Sequence, residues 1–324
     1  MPTEFKHQLF DKVLVSDLQL LLLEQFEGEE VGDSDLVKLT ISPEVFEPRG
    51  DAVLDDSGLG LKILSDGSRT FFLFEQFSVV AVVDSSGLYV TLHPTDLLKP
   101  INLQTKQILD ARVVTWVLSR LPILWGTPSI HGANMSFTQG SLLLLGKSGA
   151  GKSTLSQHLS RTFGASLHDD DTSLINLGTS PVSLVPMGAA ARIRSDAAES
   201  MNLHGRSLPK YAGEKIALSK DQGATKRMPL SLRAIIEVVQ LPQSASGTHD
   251  GTPTLMRMTN GEAMLTVDSH LFRTDLSAGQ RRLSFLAATQ LSLVPTWRLT
   301  YVLGSCSPEE TARTIHEKFL DAIT

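Results

Sequence analysis

The chain has 324 residues, 29 Lys plus Arg against 35 Asp plus Glu, a formal net charge of −6 and one cysteine. With 41% hydrophobic and 20% charged residues it has material for buried cores, which excludes wholesale disorder, and its length suggests about two domains. The lone Cys306 excludes an intramolecular disulfide and a cysteine-rich zinc site, so a reducing, cytoplasmic setting is expected.

The start, MPTEFKHQLFDK, has no basic segment leading into an apolar core, and the stretch Leu18 to Leu23 falls far short of the roughly 18 residues a membrane helix needs. Neither a secretory signal nor a membrane partner is expected. Residues 1–60 hold 14 acidic and 4 basic residues, a balance of −10 against +4 for the remainder. An acidic opening does not suit a phosphate backbone, so no nucleic-acid partner is expected. From 36 to 92, the apolar runs LVKLTI, GLKIL, TFFLFEQFSVVAVV and GLYVTL, broken by DDSG, SDGS and DSSG, predict a small β-rich module. Residues 103–121 place Ile108, Leu109, Val113, Trp116, Val117 and Leu121 close to one helical face, which predicts a bridging helix.

The second half alternates strand-like and helical patterns, as in a βαβ-type domain with a substantially parallel sheet. SIHGANMSF and SLLLL read as strands, STLSQHLSRT as a helix, QSASGTHDGTP at 243–253 as an exposed loop, and WRLTYVL as a strand. The last helix carries its own start signal, with Ser307 as N-cap, Pro308 at the first position and Glu310 three residues after the cap. The expected division is a β-rich domain over 1–100, a bridging helix and linker over 101–127, and an α/β domain over 128–324.

Residues 146–153, GKSGAGKS, match G-x-x-x-x-G-K-[ST] at every defined position, between an apolar strand and a helical pattern. A triphosphate must be held without a side chain occupying its space. Gly146, Gly149 and Gly151 allow backbone N–H groups to point inward, and the helix N-terminus adds partial positive charge. The expected nucleotide-binding set is Gly146, Lys147, Ser148, Gly149, Ala150, Gly151, Lys152, Ser153 and Thr154. Lys152 reaches the β- and γ-phosphates, and the Ser153 hydroxyl ligates Mg²⁺. The triplet Asp169, Asp170 and Asp171 follows Lys152 closely enough for a strand leaving the helix to return carboxylates to the phosphates, and His131 ends a β-like run just upstream. Phosphoryl transfer to a hydroxyl needs both a metal ligand and a group for the hydroxyl proton, and adjacent aspartates can divide that labour.

Ser129-Ile130-His131-Gly132, then GKSGAGKST, then Leu167-His168-Asp169-Asp170 resemble, in register, the HPr kinase/phosphorylase-like P-loop kinases and their relatives that phosphorylate serine hydroxyls. The resemblance implies an α/β fold, a P-loop kinase core of the HPr kinase C-terminal type with a smaller β-rich N-terminal domain. It implies ATP and Mg²⁺ as cofactors and a hydroxyl-bearing peptide, protein or small molecule as acceptor. Carried over residue by residue, His131 assists the acid/base group, Lys152 and Ser153 hold nucleotide and Mg²⁺, Asp170 faces the acceptor hydroxyl, and Asp169 lies nearest the metal. Thr154 stands where the bifunctional members carry Glu, and PMGAAARIRSDAAESMNL replaces their E-[IV]-R-G-[LV]-G segment. The resemblance is therefore to the divergent serine-kinase branch, and it implies neither dephosphorylation nor a hexameric ring. Self-association stays open.

Nine basic residues lie between Ala190 and Arg233, among them Arg192. Lys215 and Arg227, each beside a β-like run, are the expected stabilisers of the transferring phosphoryl group. Two other readings remain. One is a small-molecule kinase like shikimate or gluconate kinase, although those begin almost at their phosphate loop and 145 residues precede Gly146 here. The other is a non-catalytic ATP-sensing regulator. No N-K-x-D motif occurs, which argues against a GTPase switch. Cys306 has no base nearby in sequence, Arg281 and Arg282 read as a solvated helix face, and His93, His204 and His270 lack metal-ligand spacing.

Overall fold

The computed structural model describes residues 5–10, 12–18, 20, 23, 36–56, 61–96, 101–102, 109, 112–187, 191–207, 215–218, 229–242, 252–274 and 277–323. The chain forms two compact units, one of Met1–Ser129, Pro209–Gly213 and Phe272–Leu283, the other of Ile130–Leu208, Glu214–Leu271 and Ser284–Thr324. Among the described residues no helix is long and apolar enough to cross a membrane.

The first unit is built on β1 (Phe5–Leu9), β2 (Lys12–Ser16), β3 (Leu36–Ile41), β4 (Asp51–Asp56), β5 (Leu61–Ser65), β6 (Arg69–Phe74), β7 (Val79–Asp84) and β8 (Tyr89–Pro94). They form one sheet in the order β1-β2-β3-β8-β7-β6-β5-β4. Alternation explains β3, where Val37 and Leu39 are buried while Lys38 and Thr40 are not. The run TFFLFEQFSVVAVV folds as two strands, because the 3₁₀ turn Glu75–Phe77 and Ser78 at φ 52° reverse the chain inside it. Phe71, Phe72 and Phe74 are fully buried, each contributing about 1.5–3 kcal/mol. Phe74 stacks on Trp116 with ring centroids 5.8 Å apart.

The helix expected over 103–121 is α-helical at the described Leu109 and Arg112 and changes type beyond them. Val113–Val117 form a π-helical turn that passes directly into a 3₁₀ segment, Leu118–Trp125, holding Pro122 and ending at Gly126 with φ 78°. Proline has no N–H to donate, and the Ser119 hydroxyl donates to the Thr115 carbonyl, so the regular α ladder is displaced. Residues 103–108 lie outside the described residues, as does most of the loop expected at 243–253.

The second unit carries β9 (Ser129–His131), β10 (Ala133–Phe137), β11 (Gly140–Leu145), β12 (Ser166–Asp169), β13 (Thr172–Asn176), β14 (Ser183–Pro186), β15 (Arg192–Arg194), β16 (Gly205–Ser207), β17 (Lys215–Leu218), β18 (Leu230–Leu241), β19 (Thr254–Arg257) and β20 (Thr296–Val302). Its helices are α1 (Lys152–Phe163), α2 (Ser195–Ser200), α3 (Asn260–His270), α4 (Ala278–Leu291) and α5 (Pro308–Ile323). The main sheet runs β12-β10-β11-β18-β14-β13-β9, and β20 pairs with β18 and β19. The long β18 shares one edge between two partners, β14 near its start and β20 over Ile235–Leu241.

This sheet is mixed, not substantially parallel. Only β11–β18 and β18–β20 pair in parallel among the described pairs of this sheet. The tight turn between β10 and β11 forces antiparallel pairing, whereas parallel neighbours require a long crossover. The parallel trio nonetheless puts three carboxyl ends on one edge, the usual place for a ligand in an open α/β sheet. Successive residues of β11 face opposite layers. Leu142 and Leu144 pack with Leu155 and Leu159 of α1 and Ile315 and Phe319 of α5, while Leu143 and Leu145 pack with Val267 of α3 and Leu291 of α4. The Ser307 cap of α5 forms as expected, with Glu310 bonded back to the Ser307 backbone. A small sheet, β15-β17-β16, completes the unit with its own core of Ile193, Ala198, Met201 and Leu218.

Candidate nucleotide site

The buried run Leu142–Leu145 anchors β11 in the sheet and delivers Gly146 to the edge where β18 and β20 also end. The loop then climbs through Gly146, Gly149 and Gly151 at φ 144°, 84° and 90°. Two of these glycines are also required by space. A Cβ on Gly146 would lie 2.6 Å from the Val238 carbonyl oxygen, and one on Gly151 would lie 2.4 Å from the Tyr301 hydroxyl. Tyr301 earns that closeness by donating to the Ala150 carbonyl at 3.0 Å. Its phenol is pushed above the ordinary value by burial first and by nearby Cys306 second.

Gly151→Ala is therefore expected to weaken ATP binding at least about tenfold through strain of about 1–2 kcal/mol or more. Tyr301→Phe should restore part of the loss, since the next ring atom is 3.7 Å away. A double-mutant cycle by calorimetry checks this, and strictly additive effects would remove Tyr301 as the obstruction.

Lys152, Ser153 and Thr154 open α1. Lys152 is buried, and its ammonium donates to the carbonyls of Gly146 at 2.6 Å and Lys147 at 3.3 Å. The Ser153 hydroxyl donates to Asp170 Oδ2 at 2.8 Å, and the Arg192 backbone N–H donates to the same oxygen at 3.2 Å. The other carboxylate oxygen, Oδ1, is buried with no hydrogen-bond partner among the described residues. Burial pushes the Asp170 carboxyl up to about 6, against the opposing pull of Ser153 and Arg192.

The rest of the triplet is arranged differently from expectation. Asp169, expected nearest the metal, is buried at the end of β12, where its Oδ1 accepts the N–H groups of Asp171 at 2.9 Å and Thr172 at 3.1 Å. It shapes the turn that presents its neighbour, and the carboxylate beside Ser153 is Asp170. Asp171 pairs with the Arg192 guanidinium at 2.7 Å. His131 Nδ1 lies 3.0 Å from the Asp171 carbonyl and 3.5 Å from its carboxylate. A carbonyl only accepts, so Nδ1 carries the proton and Nε2 keeps its lone pair in the neutral ring. Burial lowers the His131 pKa to about 4, helped by Lys152, His270 and Arg192 and opposed by Asp171.

Lys215 lies in β17, where its backbone pairs with Arg194, and Arg227 lies outside the described residues. The cation that reaches the aspartates is Arg192, two positions earlier on β15 and already among the basic residues of that stretch. His270 ends α3, and burial lowers its pKa to about 4, with a further lowering from Lys152.

The residues present fit a divalent cation shared with a triphosphate. Ser153 and Asp170 offer hard oxygen donors side by side, and the unpartnered Asp170 Oδ1 leaves carboxylate capacity unused. Mg²⁺ usually takes one or two protein oxygens and fills its remaining positions with phosphate and water.

No family model matches the chain, and no curated protein matches it. Among solved structures it is similar to the Hpr(Ser) kinase/phosphatase from Coxiella burnetii at 12% identity and a TM-score of 0.28, over 60% of this chain and 98% of that one.

Proposed function

We propose that the chain is an ATP- and Mg²⁺-dependent phosphotransferase that moves the γ-phosphoryl group to a hydroxyl, that of serine in a peptide or protein or of a small serine-like metabolite. The observation that carries this reading is Asp170. It is a buried carboxylate, raised to about 6, with one oxygen on the Ser153 hydroxyl at the start of a glycine phosphate loop and the other without a partner.

In this reading the loop N–H groups and Lys152 hold the phosphates. Ser153 and Asp170 would hold Mg²⁺, which would supply charge neutralisation for the phosphoryl group in transfer. The acceptor oxygen bonds to the γ-phosphorus as the bond to the β,γ-bridging oxygen breaks and ADP departs. The acceptor proton passes to Asp170 Oδ1. Arg192 stands beside the developing negative charge, held in place by Asp171, and His131 closes the other side of Asp171.

The test is incubation of the full chain with γ-labelled ATP, Mg²⁺ and separate pools of peptides, proteins and hydroxyl metabolites. A labelled, alkali-sensitive phosphoester is the expected result. ATP binding without label in any pool would turn the reading into that of a nucleotide sensor.

A further inference from the structure

Helices α3 and α4 lie in one layer over the same face of the main sheet. Val267 of α3 and Ala287, Ala288 and Leu291 of α4 share a buried core with Leu143 and Leu145 of β11. That packing accounts for the inner side of each helix. The outer side is apolar as well. Leu265 of α3 is 74% exposed, Phe285 and Leu286 of α4 are 58% and 42% exposed, and Leu293 just past α4 is 70% exposed. A single exposed leucine is ordinary, but a helix with large apolar residues on both sides is normally covered on both.

The charges around these side chains select the cover. Arg281 and Arg282, both exposed, stand one turn before Phe285 and Leu286 on the same helix, so the outer stripe of α4 is basic. Exposed Glu262 and half-buried Asp268 stand three residues to either side of Leu265, so the outer stripe of α3 is acidic. An anionic lipid surface would suit α4 and be repelled by α3. Two α4 helices face to face would set arginine against arginine. A second copy of this chain, turned about a two-fold axis, offers acid to base and base to acid at once, because such an interface is self-complementary.

We propose that this layer is a homodimer interface in which α3 of each copy packs on α4 of the other. Leu265 then meets Phe285 and Leu286, and Glu262 and Asp268 face Arg281 and Arg282. Each contact occurs twice in such a dimer, so one substitution per chain acts twice.

Sedimentation equilibrium of the full chain over a range of concentrations tests the assignment, with charges of either sign placed on each helix. A reversible monomer–dimer equilibrium is expected for the wild type. Phe285→Glu, which sets acid against the acidic α3, is expected to raise the dimer dissociation constant about a hundredfold, and Phe285→Lys about tenfold less than that. On α3 the order should reverse, with Leu265→Lys more damaging than Leu265→Glu because the facing helix is basic. All four side chains are replaced at exposed positions, and circular dichroism checks that each variant keeps its fold; if one helix's pair does not, the other pair carries the comparison. A wild-type chain that stays monomeric at every concentration would overturn the proposal. So would a dimer indifferent to these substitutions, or one weakened equally by both signs of charge.

Discussion

Asp170→Asn is expected to lower phosphoryl transfer by about 10²–10⁴-fold, the range a positioned proton acceptor supplies, while the chain becomes more stable at neutral pH. Both effects come from the same burial. Asparagine keeps the shape of the carboxylate and its amide oxygen still accepts from Ser153, so binding of nucleotide without Mg²⁺ survives, but it cannot take the acceptor proton. An Asp170→Asn chain with wild-type turnover would move the proton acceptor elsewhere, with His131 Nε2 as an alternative.

The stability gain follows from linkage. The Asp170 carboxyl is raised from 3.8 to about 6, so the folded chain holds a proton that the unfolded chain releases. Its contribution is fully present below pH 3.8 and is lost as pH rises through about 6. At pH 7 the ionised, buried group costs about 3 kcal/mol. Removing that cost should raise Tm by about 5–10 °C, and the advantage should fade as pH falls toward 4. His131 and His270 act with the opposite sign. Both are lowered to about 4, so their contribution is present above the unfolded value of 6.5 and is lost as pH falls toward 4. They are common to wild type and variant, and the difference in Tm between the two against pH isolates Asp170. A pH-independent difference would mean that the carboxyl is not buried in its charged form.

Lys152→Ala is the second large effect. Loss of a charge-assisted contact to the phosphates is expected to weaken ATP by about a hundredfold and ADP as well. Lys152→Arg should not rescue, because a planar guanidinium does not fit where a compact ammonium sits 2.6 Å from the Gly146 carbonyl. Full-strength nucleotide binding in Lys152→Ala would mean that the loop is not a phosphate cradle.

The parts of this protein legible in the sequence are those whose physical cause is local. The strand Gly140–Leu145, the glycine loop and the first turns of α1 are contiguous, so residue spacing alone carries them. The cap at Ser307 is equally local, because donor and acceptor sit three residues apart. The alternation of Leu36–Ile41 announced a strand for the same reason. The mixed character of the main sheet was not legible, since alternation marks a strand but not the direction of its neighbour.

At the site the division is the same. Composition and spacing singled out Lys152, Ser153, the aspartate triplet and His131. Which aspartate meets Ser153 depended on where β12 stops, and it stops at Asp169, turning that side chain into its own loop and Asp170 toward α1. Arg192 reaches Asp171 only because β15 returns to the turn, and Tyr301 meets Ala150 across 151 residues of sequence. Leu271 meets Ile130 only through an isolated antiparallel bridge. The sequence by itself therefore determined that a glycine loop between a strand and a helix exists, with carboxylates close behind it. The tertiary structure decided which carboxylate, cation and imidazole lie beside it, because contacts between distant segments are chosen by strand ends, register and packing, which leave no periodic trace along the chain.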